Sequence, residues 1–293
     1  MEYLKQRNIN NQPSYVESGY IVYAYNYTSS FQSPLLPYSP TPLLPLPSSL
    51  LLPPSSFLNM TKVILLDAVG TLFGVRGSVG EIYQQFASQW GVDVSPPAVN
   101  AAFFESFKTA PPMAFPGVES TKIPELEFEW WCEVATTTYK KLGVFEQFSD
   151  FRNFFRELYN HFATAAPWFV YPDVKPALTK WRDRDIKLAV LSNFDSRLYP
   201  VLAALQLADF FDDVTISTEV GAAKPDRKIF VAALQKCGCA IEEVVHIGDS
   251  LTADYEGAIN VGIKAFLLSR NTVLQPDKNH FASLLDCFDY SFS

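Results

Sequence analysis

The chain has 293 residues, is 48% hydrophobic and carries 23 Lys and Arg against 31 Asp and Glu, a formal net charge of −8. That length can bury one substantial core and a smaller second one, while the acidic balance leaves no basic stripe to neutralise phosphates, so nucleic acid and anionic membrane are not expected partners. Cys132, Cys237, Cys239 and Cys287 are too scattered to staple a chain of this size and read as reduced thiols; Cys237-Gly238-Cys239 has no second pair or His cluster to complete a metal site.

Residues 1–59 differ in kind from the rest. Nine of the 21 prolines fall here, and no charged residue stands between Ser18 and Met60. Closely spaced prolines forbid a continuous helix, so the leucines of this stretch do not make a membrane span. The composition reads as a disordered leader. Two other readings stand beside it: an organellar transit peptide, although Lys5 and Arg7 are its only positive charges, or an over-extended start, with translation beginning at Met60. The protein is expected to be cytoplasmic unless the leader directs it to an organelle.

The first core strand is the apolar run Val63-Ile64-Leu65-Leu66, which ends in Asp67-Ala68-Val69-Gly70-Thr71-Leu72. A carboxylate at the carboxyl end of a buried parallel strand lies where open α/β sheets bind ligands. Taken singly, Asp before a glycine is ordinary turn chemistry. From about Arg76 to Trp168 the pattern turns helical, with segments at Val79–Trp90, Pro96–Lys108, Pro124–Leu142 and Phe148–Ala163. Aromatic residues recur there at helical spacing, which reads first as a domain core. Trp130 and Trp131 suit core packing and a ring-containing ligand equally well.

After Pro172 the alternation is βαβ. Helices are expected at Asp173–Arg182, Arg197–Gln206, Asp226–Cys237 and Thr252–Asn260, and strands at Lys187–Leu191, Val214–Ser217, Val244–Ile247 and Lys264–Leu268. Short buried strands with helical crossovers predict an α/β, Rossmann-like parallel sheet covered by helices on both faces. A last helix is expected around Phe281–Leu285. Three more strand-end or pre-helix segments carry polar residues: Ser192-Asn193-Phe194-Asp195, Lys224-Pro225-Asp226, and Gly248-Asp249 followed by Asp254. Each has a bland reading, respectively turn formation, a surface lysine, and an N-cap or a solvated helix carboxylate. His246 reads as a core histidine pointing away from any cluster, and nothing singles out His161 or His280.

Together these segments supply a nucleophile, a hydroxyl, a cation and a carboxylate pair. In this order, from about Lys62 to about Leu268, they resemble the haloacid dehalogenase-like (HAD) hydrolase superfamily. The wording around Asp67 and the long insert resemble its helical-cap branch, subfamily IA, grouped with rhythmically expressed gene products. The resemblance implies a catalytic core over 60–75 and 170–270, a helical cap over 76–169 inserted after the first strand, and a tail over 271–293. It further implies a Mg2+-dependent phosphatase acting on a small phosphorylated metabolite, as a monomer or homodimer. Asp67 would be the nucleophile and form an aspartyl-phosphate. Asp67, Asp249, Asp254 and the backbone carbonyl of Val69 would hold the metal, with Asp254 either a ligand or a partner orienting Lys224. Lys224 would neutralise the transferred group. Thr71, Ser192, Asn193 and Lys224 would form the substrate-binding set, with Thr71 fixing the turn.

One position departs from that pattern. The superfamily's phosphatases carry a second aspartate two residues after the nucleophile, and here Val69 stands there. Valine can neither protonate a leaving oxygen nor activate water, a contribution of roughly 10²–10⁴-fold. Three readings follow: a phosphatase whose leaving groups need little protonation or which borrows an acid such as Asp195 or a cap residue; a hydrolase like the 2-haloacid dehalogenases, which also carry a bulky neutral residue there but lack the fourth motif's acidic pair; or a non-catalytic phosphate-binding or interaction protein. None of the insert lysines, Lys108, Lys122, Lys140 and Lys141, stands in a setting that suggests a Schiff base for phosphonate cleavage.

Overall fold

Alternate residues of the first strand serve two different cores. In β1 (Val63–Leu66) Ile64 and Leu66 join the apolar cluster on one face of the sheet, and Val63 and Leu65 join the cluster on the other. All four are buried. A strand covered on both faces must be apolar at every position, which is why this run does not alternate. The computed structural model describes residues 61–270 and 279–291, with side chains to 288; the leader, Met60 and the segment 271–278 named above lie outside the described residues.

The remaining elements follow in chain order: β2 (Phe73–Val75), α1 (Val79–Gln89), α2 (Pro96–Thr109), α3 (Ile123–Lys141), α4 (Phe151–His161), β3 (Trp168–Val170), α5 (Val174–Arg182), β4 (Lys187–Ser192) and α6 (Leu198–Ala204). Then come β5 (Asp213–Ile216), α7 (Ser217–Val220), α8 (Arg227–Cys237), β6 (Val244–Gly248), α9 (Gly257–Val261), β7 (Lys264–Leu268), β8 (His280–Phe281) and α10 (Leu284–Ser291). Six strands form one parallel sheet in the order β5-β4-β1-β6-β7-β8. The fold is therefore the α/β, Rossmann-like sheet that the βαβ alternation predicts.

Several local details differ from expectation. Phe73–Val75 and Trp168–Val170 pair antiparallel as a separate two-stranded sheet, so a short ribbon stands at the two points where α1–α4 leave and rejoin the chain. Three residues per strand are too few to show a period. The helix expected over Thr252–Asn260 begins as a π-helical turn, Leu251–Glu256, before α9. The expected last helix starts later, after β8, and α7 has no counterpart in the expected elements.

Helices α1–α4 match their expected segments to within a few residues at each end, because their termini are locally encoded. Ser78 accepts from the Glu81 N–H at 3.1 Å while the Glu81 carboxylate accepts from the Ser78 N–H at 3.1 Å, a reciprocal capping box. Asp150 caps α4 through the Asn153 N–H. Tyr139, Phe148, Phe154 and Phe155 are buried between these helices, mostly in edge-on ring contacts such as Tyr139–Phe148 at 4.9 Å. Their cluster is continuous with the apolar layer on one face of the main sheet.

Candidate active site

The carboxyl ends of β1, β4 and β6 lie side by side, in the register Leu66↔Val190 and Leu66↔Ile247. Residues one or two beyond those ends therefore converge. The Asp67 N–H still donates to the Ile247 carbonyl at 2.9 Å, holding the carboxylate on the sheet edge. The chain then folds back sharply, with Leu72 N–H donating to Ala68 C=O and Gly70 N–H to Phe73 C=O, both at 2.8 Å. Gly70 has φ +90°, and a Cβ there would sit on the Asp249 carboxylate. Only glycine lets the backbone approach that closely.

Asp67 Oδ1 accepts from Lys224 Nζ at 2.6 Å and from Ser192 Oγ at 3.0 Å. Lys224 Nζ also donates to Asp254 Oδ1 at 2.6 Å and to the Leu191 carbonyl at 2.8 Å. Lys224 is 4% exposed, so it is no surface lysine. Burial works against its charge, but Asp254 and Asp67 outweigh it and hold the ammonium above the ordinary lysine range. Asp254 is likewise buried rather than solvated. Burial opposes its ionisation, yet Lys224 and the hydrogen bond from His246 hold its carboxyl below the ordinary range.

Asp67, Asp249 and Asp254 each present an oxygen within 4.8 Å of the other two. Burial raises Asp67 above the usual aspartate range, with Lys224 opposing and Asp254 adding to the shift. Asp249 is raised further, first by burial and then by Asp67 and Asp254. The charge of Lys224 and its own backbone N–H oppose that shift only in part, and the helix cap at this point is Ser250, whose Oγ accepts from the Ala253 N–H. The capping reading of Asp249 is thus set aside. Three clustered carboxylates facing one ammonium suit a hard divalent cation, which neutralises oxygens that cannot all ionise together.

The other expected site residues fall differently. The Asn193 carboxamide is occupied by Lys224: Nδ2 donates to its carbonyl at 2.8 Å and Oδ1 accepts from its N–H at 2.7 Å. Asn193 lines the cavity but spends its side chain on the lysine loop. Thr71 is fully buried, its hydroxyl has no partner among the described residues, and it does not line the cavity. Asp195, the acid available for borrowing, is also fully buried, held by Arg197 Nε at 2.9 Å, Arg197 Nη2 at 2.6 Å and Trp131 Nε1 at 2.6 Å. It does not line the cavity. Val69 does, beside Asp67.

Two contributors were not anticipated. His246 is buried as expected, but it does meet a cluster, since its Nε2 lies 3.0 Å from Asp254 Oδ1. Strand alternation placed it inside; only the π-helical turn brings Asp254 back over it. Arg270, from the stretch that carries no motif, donates to the Gly70 carbonyl at 3.1 Å, the Thr71 carbonyl at 2.6 Å and Asp173 Oδ1 at 2.8 Å. It clamps the turn that bears Asp67 from outside the cavity. No local signal marks such a residue.

The helical insert is tied to the sheet's loops by buried polar contacts. Glu127 of α3 accepts from the Ser196 N–H at 2.9 Å, from Ser196 Oγ, and from Thr218 Oγ1 at 2.6 Å. Burial raises its carboxyl, and the hydrogen bonds from Ser196 and Thr218 oppose that. Between insert and sheet lies a cavity of about 960 Å3, counting the space open to solvent at its mouth. Asp67, Ser192, Lys224 and Asp249 are among the lining residues, as are Tyr83, Phe103, Phe107, Trp131 and Tyr159 of the insert.

A parallel sheet with a strand-end aspartate, a strand-end serine, a buried lysine and a following carboxylate pair defines a hydrolase of the HAD class, and this chain belongs to that family. The model of the haloacid dehalogenase-like hydrolases matches residues 61–262. Haloacid dehalogenase-like hydrolase domain-containing protein 3 of Danio rerio is 32% identical over 227 residues, covering 76% of this chain and 93% of the relative. The Rhythmically expressed gene 2 protein of Drosophila melanogaster is 29% identical over 216 residues, 70% of this chain and 82% of the relative, in keeping with the branch that the first motif resembles. Glyceraldehyde 3-phosphate phosphatase of Methanopyrus kandleri is 39% identical over 101 residues, 34% of this chain and 43% of the relative. Among solved structures, the HAD-hydrolase YfnB of Bacillus subtilis superposes with a TM-score of 0.60 at 15% identity, covering 79% of this chain and 98% of that one. No helix among the described residues is long and apolar enough to cross a membrane.

Proposed function

We propose that the protein is a divalent-metal-dependent phosphatase of small phosphorylated compounds, with Asp67 as nucleophile and no general acid two residues beyond it. The observation that carries the reading is Asp67 Oδ1 held by both Lys224 Nζ and Ser192 Oγ while its carboxylate lies among those of Asp249 and Asp254. A phosphoryl group is the substrate that needs such a site: a nucleophile fixed for attack, donors for the equatorial oxygens, and positive charge to offset four sources of negative charge.

Asp67, Asp249 and Asp254, with the Val69 carbonyl, would hold Mg2+, which when bound offsets the negative charge of the substrate. Asp67 attacks phosphorus through the carboxylate oxygen that Lys224 and Ser192 leave open. Ser192 and Lys224 bind the transferred group, Asn193 holds Lys224 at the correct height, and Asp254 keeps its ammonium charged. The insert excludes water from the apolar side. A carboxylate nucleophile is ionised at neutral pH once its cations are in place, so no base is needed to activate it.

A second reading, halide displacement at carbon, is favoured by Val69 alone. The preserved pair of Asp249 and Asp254 beside Asp67 counts against it, since a halide-releasing site gains nothing from a carboxylate cluster. A binding protein without catalysis would have no use for the Lys224–Asp67–Asp254 arrangement, which charges and aims a nucleophile. The test is hydrolysis of 4-nitrophenyl phosphate with and without Mg2+, beside Asp67→Asn. Metal-dependent turnover abolished in the variant is the expected result; turnover retained by the variant ends the reading.

A further inference from the structure

The cavity divides into two chemistries. Of the five charged residues that line it, four, Asp67, Lys224, Asp249 and Asp254, belong to the reacting end. The fifth, Arg197, is turned inward on the protein: Nε and Nη2 bond Asp195, which neutralises its charge, and Nη1 bonds the Tyr159 carbonyl at 3.1 Å. A second anionic group on a ligand would meet no uncompensated cation there to offset its desolvation. The walls are rings instead. Phe103 and Phe107 of α2 run nearly parallel to Trp131 of α3, at 6.5 Å and 4° and at 5.7 Å and 24°. Tyr83 and Tyr159 also line the space, and their hydroxyls bond no described residue. Val69, two residues beyond Asp67, also lines the cavity and offers no proton to a departing oxygen.

We propose that the substrate is the phosphate monoester of an uncharged, ring-bearing phenol or enol, with its ring against Trp131, Phe103 and Phe107 and the tyrosine hydroxyls free to meet a further polar substituent. This rests on the phosphatase reading above. The two halves of the site require the same thing independently. Ring walls favour a planar apolar leaving group, and Val69 demands one that departs as an anion. Asp67 attacks phosphorus, the P–O bond to the ring breaks, and its electron pair leaves on the aryloxide or enolate, which takes a proton from solvent. Water then attacks the phosphorus of the acyl phosphate, the acyl O–P bond breaks and Asp67 is released as carboxylate; one water proton stays on the departing HPO4²⁻ and the other passes to solvent.

The test compares 1-naphthyl phosphate, acetyl phosphate and glycerol phosphate on the full chain with Mg2+. Acetate is the best leaving group of the three but carries no ring. We expect kcat/KM for 1-naphthyl phosphate to exceed that for acetyl phosphate at least about tenfold, and glycerol phosphate to be the poorest. Phe107→Leu, which keeps an apolar side chain but removes the ring, should lower the naphthyl-to-acetyl ratio about tenfold, and Phe107→Ala at least as much. Acetyl phosphate hydrolysed as well as or better than the naphthyl ester, or a ratio unmoved in folded Phe107→Leu, overturns the inference and leaves the phosphatase reading standing. No hydrolysis of any of the three overturns that reading and the inference with it.

Discussion

Asn193 grips the backbone of Lys224 at both polar groups, donating to its carbonyl at 2.8 Å and accepting from its N–H at 2.7 Å. The contact joins the end of β4 to the loop before α8, two segments 31 residues apart in sequence. Lys224 reaches Asp67 and Asp254 at 2.6 Å each because that loop is held. Asn193→Ala is expected to cost about 1–3 kcal/mol of stability, since it strands two backbone groups, and to lower kcat more than it raises KM. Thermal melting and aryl phosphate kinetics check both. An unchanged kcat in the folded variant would mean that Lys224 is positioned by its ion pairs alone.

Val69→Asp restores a carboxyl beside Asp67. It is expected to raise turnover of alkyl phosphates by at least about tenfold, a part of the roughly 10²–10⁴-fold that acid–base catalysis contributes in full, and to flatten the dependence of rate on leaving-group acidity across aryl phosphates. The slope of log kcat/KM against phenol pKa is the measurement. A slope already shallow in the natural protein would show that another group supplies the proton.

Arg270→Met removes three charge-assisted hydrogen bonds, to the carbonyls of Gly70 and Thr71 and to Asp173, while keeping an aliphatic stem over the Tyr171 ring, where the guanidinium now lies 3.8 Å from the centroid. Loss of about 3 kcal/mol is expected, with kcat falling because the turn bearing Asp67 loosens. Urea unfolding gives the first and steady-state kinetics the second. A stability loss without a kinetic effect would make Arg270 a fold residue only.

Metal and pH act on the same carboxylates. Asp67 and Asp249 are raised above their ordinary value of 3.8, first by burial and then by neighbouring carboxylates, Asp254 for Asp67 and both Asp67 and Asp254 for Asp249. A carboxyl raised in the folded state binds more protons folded than unfolded. Its contribution is therefore fully present below the unfolded value and is lost as pH rises through the folded one. In EDTA, the melting temperature should fall as pH rises from about 4. Asp254 behaves oppositely, being lowered, and its contribution is lost only at more acidic pH. Added Mg2+ competes with protons for the carboxylates, so its stabilisation should grow with pH, reaching about 2.7 kcal/mol at a hundredfold excess over Kd. Asp249→Asn should abolish the metal-dependent shift and weaken the pH slope in EDTA. Equal metal shifts at pH 5 and pH 8 would contradict a site made of these groups.

Much of the site was legible because strand ends are local signals. Val63–Leu66 and Leu188–Leu191 are apolar at every position and Val244–Ile247 at all but His246, and such a run followed by Asp67, by Ser192 or by Gly248-Asp249 announces a buried strand with a polar end. Parallel neighbours then bring those ends together without any further information. Lys224 was legible only jointly with the others. What escaped was anything whose meaning depends on partners distant in sequence. Asn193 reads equally as a ligand-binding or a turn residue until its two partners are known. His246 reads as core until the π-helical turn carries Asp254 over its ring, and Arg270 reaches back across 200 residues to Gly70.

The amino-acid order by itself determined the sheet, the four insert helices and the polar side chains gathered at the strand ends, because hydrophobic period, capping residues and strand-end motifs act over a few neighbouring residues. The tertiary structure alone decided which carboxylates stand unpaired, that Asp195 is consumed by Arg197 and Trp131, and that rings from α2 and α3 close over Asp67. Those outcomes are distances between side chains tens to hundreds of residues apart. Burial and Coulomb terms exist only once such groups are packed together.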